Sequence, residues 1–446
     1  MAHPLDEFPI HQVPLSMAYV GTTDKDFYDR NIFHVIPHGH VDMQVITGFG
    51  VYPNLGTRDA YCCVRVGSEQ HVVRASDAMD EDRMRMEVGP IRIEVIEPLQ
   101  RVRVVCEGGP DEVSCDMEWT PAVPVHDESH HVMRQGTRAI LDASRFLGIG
   151  RWTGFVRAGG QQWDLDHEHF TGTRDRSWGI RPVGESQPPG RWAAELEPKL
   201  HWFWIPLRFE EFSTVVIMQE EPSGFRTLND AVRLWPAGSG REAEQMGWPQ
   251  VDVRYRPGTR MPEGATVHLL DRARNPITIE IEVLGSMPLN VGCGYGGDPD
   301  WGHGQWRGRD YLERLTYDLT DPAVAGRIPF SVIDHVARAR CGDQLGYGIF
   351  EHGTVGRHEP TGFKDLLDVA PSGSVYRSCP VLIGERSLAT SSLFRQSRTM
   401  PAIAACHATT PSSRPPATAA SKRVQSAKDG TAQMMMTSES LTSAVR

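Results

Sequence analysis

The sequence predicts an all-β protein built from two successive antiparallel β-barrels, and three observations lead to that fold class. Apolar and polar residues alternate along much of residues 40–355, which is the period of a strand with one buried face. Gly and Pro punctuate this alternation at the roughly 8–12 residue spacing of all-β folds. Helical periodicity is scarce. Many short strands of this kind close into barrels or sandwiches, which protect the sheet edges.

The clearest strands come first in RMRMEVGPIRIEVIEPLQRVRVVCE, residues 83–107. Gly89-Pro90 and Glu97-Pro98 mark turns in this stretch, which predicts an antiparallel meander with one buried face. Its alternating apolar residues are Met84, Met86, Val88, Ile91, Ile93, Val95, Val102 and Val104. The stretch RWTGFVRAGGQQWDLDHEHF, residues 151–170, repeats the pattern around a Gly159-Gly160 hairpin turn.

Further strands are predicted in QVDVRYRPG (250–258), ATVHLLDRARNPITIEIEVLG (265–285) and GRDYLERLTYDLT (308–320). The stretch DEVSCDMEWTP (111–121) lacks the spacing of a helix, whereas TGFKDLLDVA (361–370) has room for two helical turns.

The chain of 446 residues exceeds the roughly 250–300 residues that one hydrophobic core serves, so we expect two domains. The Pro- and Gly-rich stretch PVGESQPPGRW, residues 182–192, marks the break. The prediction is an N-terminal extension (1–29), a first barrel (30–190), a second barrel (191–372) and a disordered tail (373–446). The tail is poor in aromatic residues and rich in Ser, Thr and Ala, so it cannot bury enough apolar area to offset chain entropy.

Charge and composition exclude several classes of protein. The net charge of −11 argues against a nucleic-acid surface. No apolar run approaches the roughly 20 residues of a membrane span. The acidic, proline-broken N-terminus lacks the regions of a signal peptide, and the eight cysteines form no CxxC pair. We therefore expect reduced thiols and a cytoplasmic protein.

The densest chemical stretch is GTRDRSWGIRP, residues 172–182. On a strand, Arg174 and Arg176 share one face while Asp175 and Ser177 share the other. An Asp carboxyl in an apolar pocket has a raised pKa and can donate a proton. The alternative is an ion pair between Asp175 and its arginine neighbours that fixes the domain seam, with Trp178 filling core.

Three other segments carry candidate site residues. The loop GDPDWGHGQWRG, residues 297–308, gathers Trp301, His303 and Trp306, either as a ligand site or as a rigid turn. In HWFWIPLRF (201–209), Trp202 and Trp204 share the strand face opposite Phe203, and line either a cavity or ordinary core. In FEHG (350–353), adjacent residues face opposite ways, and the intrinsic pKa of His makes His352 a better acid/base candidate than Glu351.

Several cofactor classes lack support. The run GCGYGG (292–297) spells a dinucleotide motif, but Asp-Pro follows it and no helix opens. His167 and His169 have a spacing that can ligate a metal, yet no set of His and carboxylate residues has convincing ligand spacing. No nucleophile elbow or phosphate-binding loop occurs. We therefore expect no metal and no organic cofactor.

GTRDRSWGIRP resembles the Asp-x-Ser/Asn-Trp-Gly motif of the carotenoid 1,2-hydratase (hydroxyneurosporene synthase-like) and AttH-like superfamily. The resemblance extends to YPNLGTRDAYCCVRVG (52–67), GYGGDPDWGHGQWRG (294–308) and GYGIFEHGTVGRHEPTGF (346–363), and covers roughly residues 30–365. It is closest to uncharacterised actinobacterial members. Arg176 departs from the neutral or His residue usual in hydratase-like members.

The resemblance implies tandem lipocalin-like barrels with an apolar cavity between them, and members that hydrate or cyclise. It implies that Asp175 donates a proton, that Trp178 and Trp301 stabilise a cation, and that His303 or His352 assists. The remaining ligand-binding candidates are Arg174, Arg176, Arg181, Trp202, Trp204 and Trp306.

The resulting prediction is a protein that binds an isoprenoid, steroid or polyketide-like molecule and catalyses cofactor-free hydration, isomerisation or cyclisation. Two alternatives remain at this point: a non-catalytic carrier or sensor of lipophiles, and a partner-binding scaffold. A cavity of a few hundred Å³ separates the first two from the scaffold. Ionisable groups that converge on the cavity separate enzyme from carrier.

Overall fold

The structure is a computed structural model that describes residues 4–39, 42–80, 82–186, 191, 199–373 and 375–377. The chain divides into two units, Met1–Gly384 and Glu385–Arg446. The second unit, with most of the predicted tail, lies outside the described residues.

Fourteen strands form the first sheet, in the order β21-β4-β3-β2-β1-β13-β11-β8-β7-β6-β5, with β9, β10 and β12 also paired to β11. Their bounds are β1 Phe27–Pro37, β2 Met43–Tyr52, β3 Thr57–Val66, β4 Glu69–Ala78, β5 Glu87–Val88, β6 Ile91–Glu97, β7 Arg101–Cys106, β8 Ser114–Pro121, β9 His126–Asp127, β10 His131–Gln135, β11 Arg138–Ala158, β12 Gln161–Leu165, β13 Phe170–Ile180 and β21 Tyr311–Asp318.

Ten strands form the second sheet, in the order β17-β16-β15-β14-β23-β22-β20-β19-β18-β24. Their bounds are β14 Leu200–Arg208, β15 Ser213–Glu220, β16 Arg226–Leu234, β17 Glu244–Gln245, β18 Gln250–Tyr255, β19 Pro262–Leu270, β20 Pro276–Pro288, β22 Ile333–Cys341, β23 Gln344–Val355 and β24 Val375–Arg377. The described residues also hold one short helix, α1 (Pro322–Ala325), and 3-10 turns at Pro4–Glu7 and Ile328–Phe330.

The all-β class predicted from the sequence is confirmed, because both sheets are antiparallel and each curls into a half-barrel around its own core. The chain leaves the first sheet at Ile180 and enters the second at Leu200. One late strand, β21, returns to pair with β4 of the first sheet. The predicted helical turns at 361–370 are wrong: this segment is a series of turns and bends without a helix.

The hairpin predicted at Gly159-Gly160 is confirmed. Ala158 pairs with Gln161 across it, and the two glycines have φ of 56° and 71°. A two-residue turn with both φ angles positive matches the right-handed twist of the flanking strands, and only glycine adopts that conformation without strain. The meander of residues 87–106 also forms, as β5, β6 and β7.

Strand alternation divides the apolar side chains between three layers. In β1, Phe33 and Val35 enter the core of the first half-barrel, while Ile36 faces the second sheet. In β14, Phe203 enters the second core, while Trp202 and Trp204 face the first sheet. The predicted opposite facing of these aromatic residues is therefore confirmed. A third apolar layer lies where the two sheets stack, and the candidate site lies within it.

Two expectations from composition can be compared with the described residues. The cysteines there are free thiols, namely Cys62, Cys63, Cys106, Cys115, Cys293 and Cys341. Within the same residues, no helix is long and apolar enough to cross a membrane.

Candidate functional site

A cavity of about 200 Å³ lies between the two sheets. Much of its wall is apolar or aromatic, from Ile32, Leu200, Trp202, Trp204, Leu289 and Val332. Charged or titratable side chains reach it as well, from His34, Arg145, Asp175, Arg181 and Glu351. A cavity with apolar walls and a few convergent polar groups is the usual form of a small-molecule site.

Asp175 reaches this cavity because of its place on β13. It lies opposite Ile32 of β1 and Leu147 of β11, and alternation directs Asp175 and Ser177 to the cavity side. The carboxyl group is buried, and its Oδ1 has no hydrogen-bond partner. Burial raises the pKa of Asp175 to about 6, although the positive charge of Arg145 lowers it. Asp175 is therefore a buried, poorly solvated carboxyl group that can exchange a proton near neutral pH.

The arginines on either side of Asp175 face the other way, into the first half-barrel. Arg174 lies over Trp119 and Phe146, with its guanidinium carbon 5.1 and 5.3 Å from the two ring centroids. Arg176 forms an ion pair with Asp29, 3.0 Å from Nη2 to Oδ1. These partners all belong to the first sheet, so the expectation that the arginines hold both domains together is wrong. Neither arginine is the ion-pair partner of Asp175.

Trp178 also faces away from Asp175, as the three-residue offset along a strand requires. Its side chain packs on Phe146 at the rim of the first half-barrel and is 39% exposed. Trp178 is thus not a wall of the inter-sheet cavity. Gly172, at the start of the motif, lies against the indole of Trp152, and a Cβ there would overlap that ring.

A pair of carboxyl groups lies beside Asp175, on the second sheet. Asp334 of β22 and Glu351 of β23 are directly opposite each other in the strand register, and their side chains share a hydrogen bond. Burial raises the pKa of Asp334 to about 7, although the hydrogen bond with Glu351 lowers it. Burial, with the charge of Asp334 and the hydrogen bond to it, raises the pKa of Glu351 to about 8. Two such carboxyl groups hold one proton between them at neutral pH. Trp202 fixes Glu351 by donating its indole N–H to Oε1.

His34 links this carboxyl pair to the first sheet. Its Nε2 lies 3.0 Å from Oδ2 of Asp334, and its Nδ1 lies 2.9 Å from the hydroxyl of Thr173. Burial lowers the pKa of His34 to about 4, partly offset by the charge of Asp175. The imidazole is therefore neutral at physiological pH and serves as a hydrogen-bonded positioning group for Asp334.

A second polar pair closes another part of the cavity wall. Arg145 donates to Oε2 of Glu128 at 3.0 Å, and the indole of Trp204 donates to Oε1 of Glu128 at 2.8 Å. Arg145 and Glu128 thus form an ion pair, whereas no ion pair of Asp175 or Glu351 is found among the described residues.

The other predicted residues lie at various distances from this cavity. Trp202, Trp204 and Arg181 line it. His303 lies behind the wall, 3.1 Å from Nη2 of Arg30. Trp301 is buried beneath Arg74, and Trp306 is 50% exposed on the surface.

His352 faces the second half-barrel, where it lines a different cavity of about 530 Å³. Its Nε2 lies 2.9 Å from the hydroxyl of Tyr255. Glu351, the residue passed over in favour of His352, is the one that faces the inter-sheet cavity.

A group of His and Glu side chains in the second half-barrel has the residue types of a metal site. Possible ligand atoms of His201, Glu220 and His358 lie within 4.8 Å of one another. The rings of His201 and His358 stack, however, with centroids 3.8 Å apart, so their nitrogen lone pairs run side by side and do not converge. Arg226 and Tyr376 already bind the Glu220 carboxylate. This arrangement fits a buried hydrogen-bond network better than a metal centre.

The glycine-rich run at 292–297 also has an internal explanation. The backbone amides of Gly292 and Gly294 donate to Oδ2 of Asp298 at 2.9 and 3.0 Å. A phosphate would need these same amides. The loop is therefore closed by its own carboxylate.

Fold and site together define an all-β protein with an acid-lined cavity between two half-barrel sheets. The chain belongs to the family of unknown function DUF8625, whose family model matches residues 2–364. No curated protein matches the sequence. Nothing in these comparisons bears on an actinobacterial origin, which stays a prediction.

Two solved structures are similar to this chain at low sequence identity. Kievitone hydratase from Nectria haematococca is 12% identical, with 73% of this chain and 88% of that chain covered and a TM-score of 0.43. The protein CghA, solved with Sch210972, is 10% identical, with 74% and 89% covered and a TM-score of 0.43. Likeness at this level of identity and TM-score says nothing about function.

Proposed function

We propose that the protein binds an apolar small molecule between its two sheets and catalyses a cofactor-free proton-transfer reaction on it: hydration, isomerisation or cyclisation. The observation that carries the proposal is the convergence of Asp175 and the Asp334–Glu351 pair on one apolar cavity. A carrier needs no such groups. Carboxyl groups in apolar surroundings cost stability, and a role in proton transfer explains why the protein retains them.

The roles follow from the different surroundings of the carboxyl groups. The Asp334–Glu351 pair retains a proton at neutral pH, so Glu351, which faces the cavity, is the proton donor. Asp175, with a pKa of about 6, is mostly ionised at pH 7 and accepts a proton. When the surroundings of two carboxyl groups give them different pKa values, the group with the higher pKa acts as the acid and the other as the base. This assignment reverses the donor role first given to Asp175.

The chemistry then balances without a cofactor. In hydration, Glu351 gives its proton to one carbon of a double bond. Water then adds to the resulting cation, and Asp175 takes a proton from that water. In isomerisation, Asp175 removes a proton from one carbon and Glu351 supplies one to another. The indole faces of Trp202 and Trp204 suit a developing cation. The pair then recovers its proton from Asp175 or solvent, which restores the starting state.

The first test asks what the cavity holds. Native mass spectrometry of the full-length protein from its own host should show a co-purifying apolar molecule. Ile32→Trp fills the inter-sheet cavity and should abolish this adduct. Met261→Trp fills the second cavity, which Met261 lines, and should retain it. An adduct that survives Ile32→Trp but disappears with Met261→Trp would place ligand binding elsewhere and overturn the proposal.

A further inference from the structure

Arg181 lies at the end of the cavity farther from the carboxyl pair. In the register of β1 and β13, His34 pairs with Thr173 and Tyr28 pairs with Gly179. These pairs are six residues apart, or about 20 Å at the rise of a strand. Asp334 lies beside His34, whereas Arg181 lies over Tyr28. The cavity thus runs between an acidic end and a cationic end.

Two tyrosine rings hold the Arg181 guanidinium. Its central carbon is 5.5 Å from the ring centroid of Tyr28 and 5.7 Å from that of Tyr295, and both tyrosines line the cavity. Stacking on aromatic rings orients a guanidinium without using its N–H donors. The donors therefore remain free for a ligand.

Within the described part of the chain, the Arg181 side chain forms no ion pair and no hydrogen bond. The other arginine of the cavity wall, Arg145, is paired with Glu128 at 3.0 Å. Arg181 is partly exposed, and a guanidinium at a cavity wall without a counter-ion can form charge-assisted hydrogen bonds with an anionic ligand.

We propose that the ligand of the inter-sheet cavity is an elongated apolar molecule with one anionic oxygen group, a carboxylate or an enolate, that pairs with Arg181. This inference rests on the proposed function of the cavity and adds the chemical class of its ligand. The apolar body extends past Ile32, Leu289 and Val332 toward Asp175 and Glu351. Pairing at Arg181 fixes one end of the molecule, and so determines which carbon meets the acid. Arg181 is a specificity-determining residue in this account.

The test compares two probes of nearly the same shape, naphthalene-2-carboxylate and the neutral 2-acetylnaphthalene, by isothermal titration calorimetry on the full-length protein. The carboxylate should bind at least about tenfold more tightly, and added salt should weaken that preference. Arg181→Gln should abolish the preference and leave the affinity for 2-acetylnaphthalene unchanged. Arg181→Lys should keep part of it, because it retains the charge.

Two control variants make the outcome specific. Arg309→Gln removes a charge from an exposed position and should change neither affinity. Met261→Trp fills the second cavity and should also change neither. Equal binding of both probes, or a preference that survives Arg181→Gln, overturns the inference while the proposed function stands. If Ile32→Trp leaves the binding of both probes unchanged, the inter-sheet cavity is not the site and the proposed function fails too.

Discussion

The carboxyl groups of Asp334 and Glu351 face each other across neighbouring strands and share one hydrogen bond under the wall of the inter-sheet cavity. Two acceptor groups can share a hydrogen bond only if one of them carries a proton. The pair therefore retains a proton at the wall of the cavity. In the proposed reaction Asp175, on the opposite sheet, is the complementary base.

The first prediction concerns Asp175→Asn. The substitution keeps the size of the side chain but removes the proton-accepting group, so turnover should fall by roughly 10²–10⁴ while ligand affinity stays within about tenfold. Stability should not fall, because Asp175 forms no ion pair within the part of the chain that the structure describes. Denaturant unfolding and turnover, measured on the same preparation, check both statements. A loss of about 3 kcal/mol or more would instead identify Asp175 as one half of a buried ion pair.

The second prediction is a pH dependence of stability. Since burial raises the folded-state pKa of Asp175 from 3.8 to about 6, its protonated form contributes stability that is fully present below pH 3.8. That contribution is lost as the pH rises through 6, and amounts to about 3 kcal/mol. The free energy of unfolding of the wild type, minus that of Asp175→Asn, should decline over this window.

The difference between the two proteins is the quantity to measure, because His34 titrates in the opposite sense. Its folded pKa of about 4 lies below the ordinary 6.5, so its contribution is lost as the pH falls through 4. A flat difference between pH 4 and 7 would show that Asp175 is exposed to water.

The sequence is sufficient to predict a cavity-facing Asp175, because strand alternation places its side chain on the face opposite its arginine neighbours. It could not decide which face of β13 turns toward the second sheet, so Arg174 and Arg176 were assigned to the seam and Trp178 to the cavity. The sequence favours His352 over Glu351, because the ordinary pKa of His lies near pH 7. The rise in the pKa of Glu351 on burial depends on tertiary neighbours that the sequence does not identify. His34 and Asp334 were missed. Each lies in a strand that holds several other polar residues, so nothing in the sequence distinguishes it until its partner is known.

The third prediction concerns the hydrogen bond between His34 and Asp334, which joins the two sheets. Asp334→Val leaves Nε2 of His34 buried without a partner and should cost about 1–3 kcal/mol. His34→Leu should cost a similar amount, and the double variant should cost clearly less than the sum. A double-mutant cycle by denaturant unfolding measures this coupling. Strict additivity would mean that the two side chains do not interact.

The fourth prediction separates Arg174 from Arg176. Arg176 and Asp29 are partly exposed, with 33% and 24% of the side chains accessible, so Arg176→Ala should cost less than about 1 kcal/mol. Arg174 is buried, with Nε and Nη1 unpaired, and burial lowers its pKa to about 10. Arg174→Met keeps the packing and removes the buried charge, so stability should hold or rise. A large loss with Arg174→Met would reveal a counter-ion for that guanidinium.

The most direct test of the proton-transfer account compares the molecules bound to wild-type and variant proteins. Wild type, Asp175→Asn and Glu351→Gln are produced in the native host, with Asp343→Asn and Glu210→Gln as exposed controls, and the bound molecules are identified by mass spectrometry. The molecule retained by the two cavity variants is then added to wild type in D₂O. The account predicts conversion to an isomer, or to a product heavier by one molecule of heavy water, with deuterium at one carbon, and no conversion by either cavity variant. Recovery of the same unlabelled molecule from every protein would show a carrier and contradict the account.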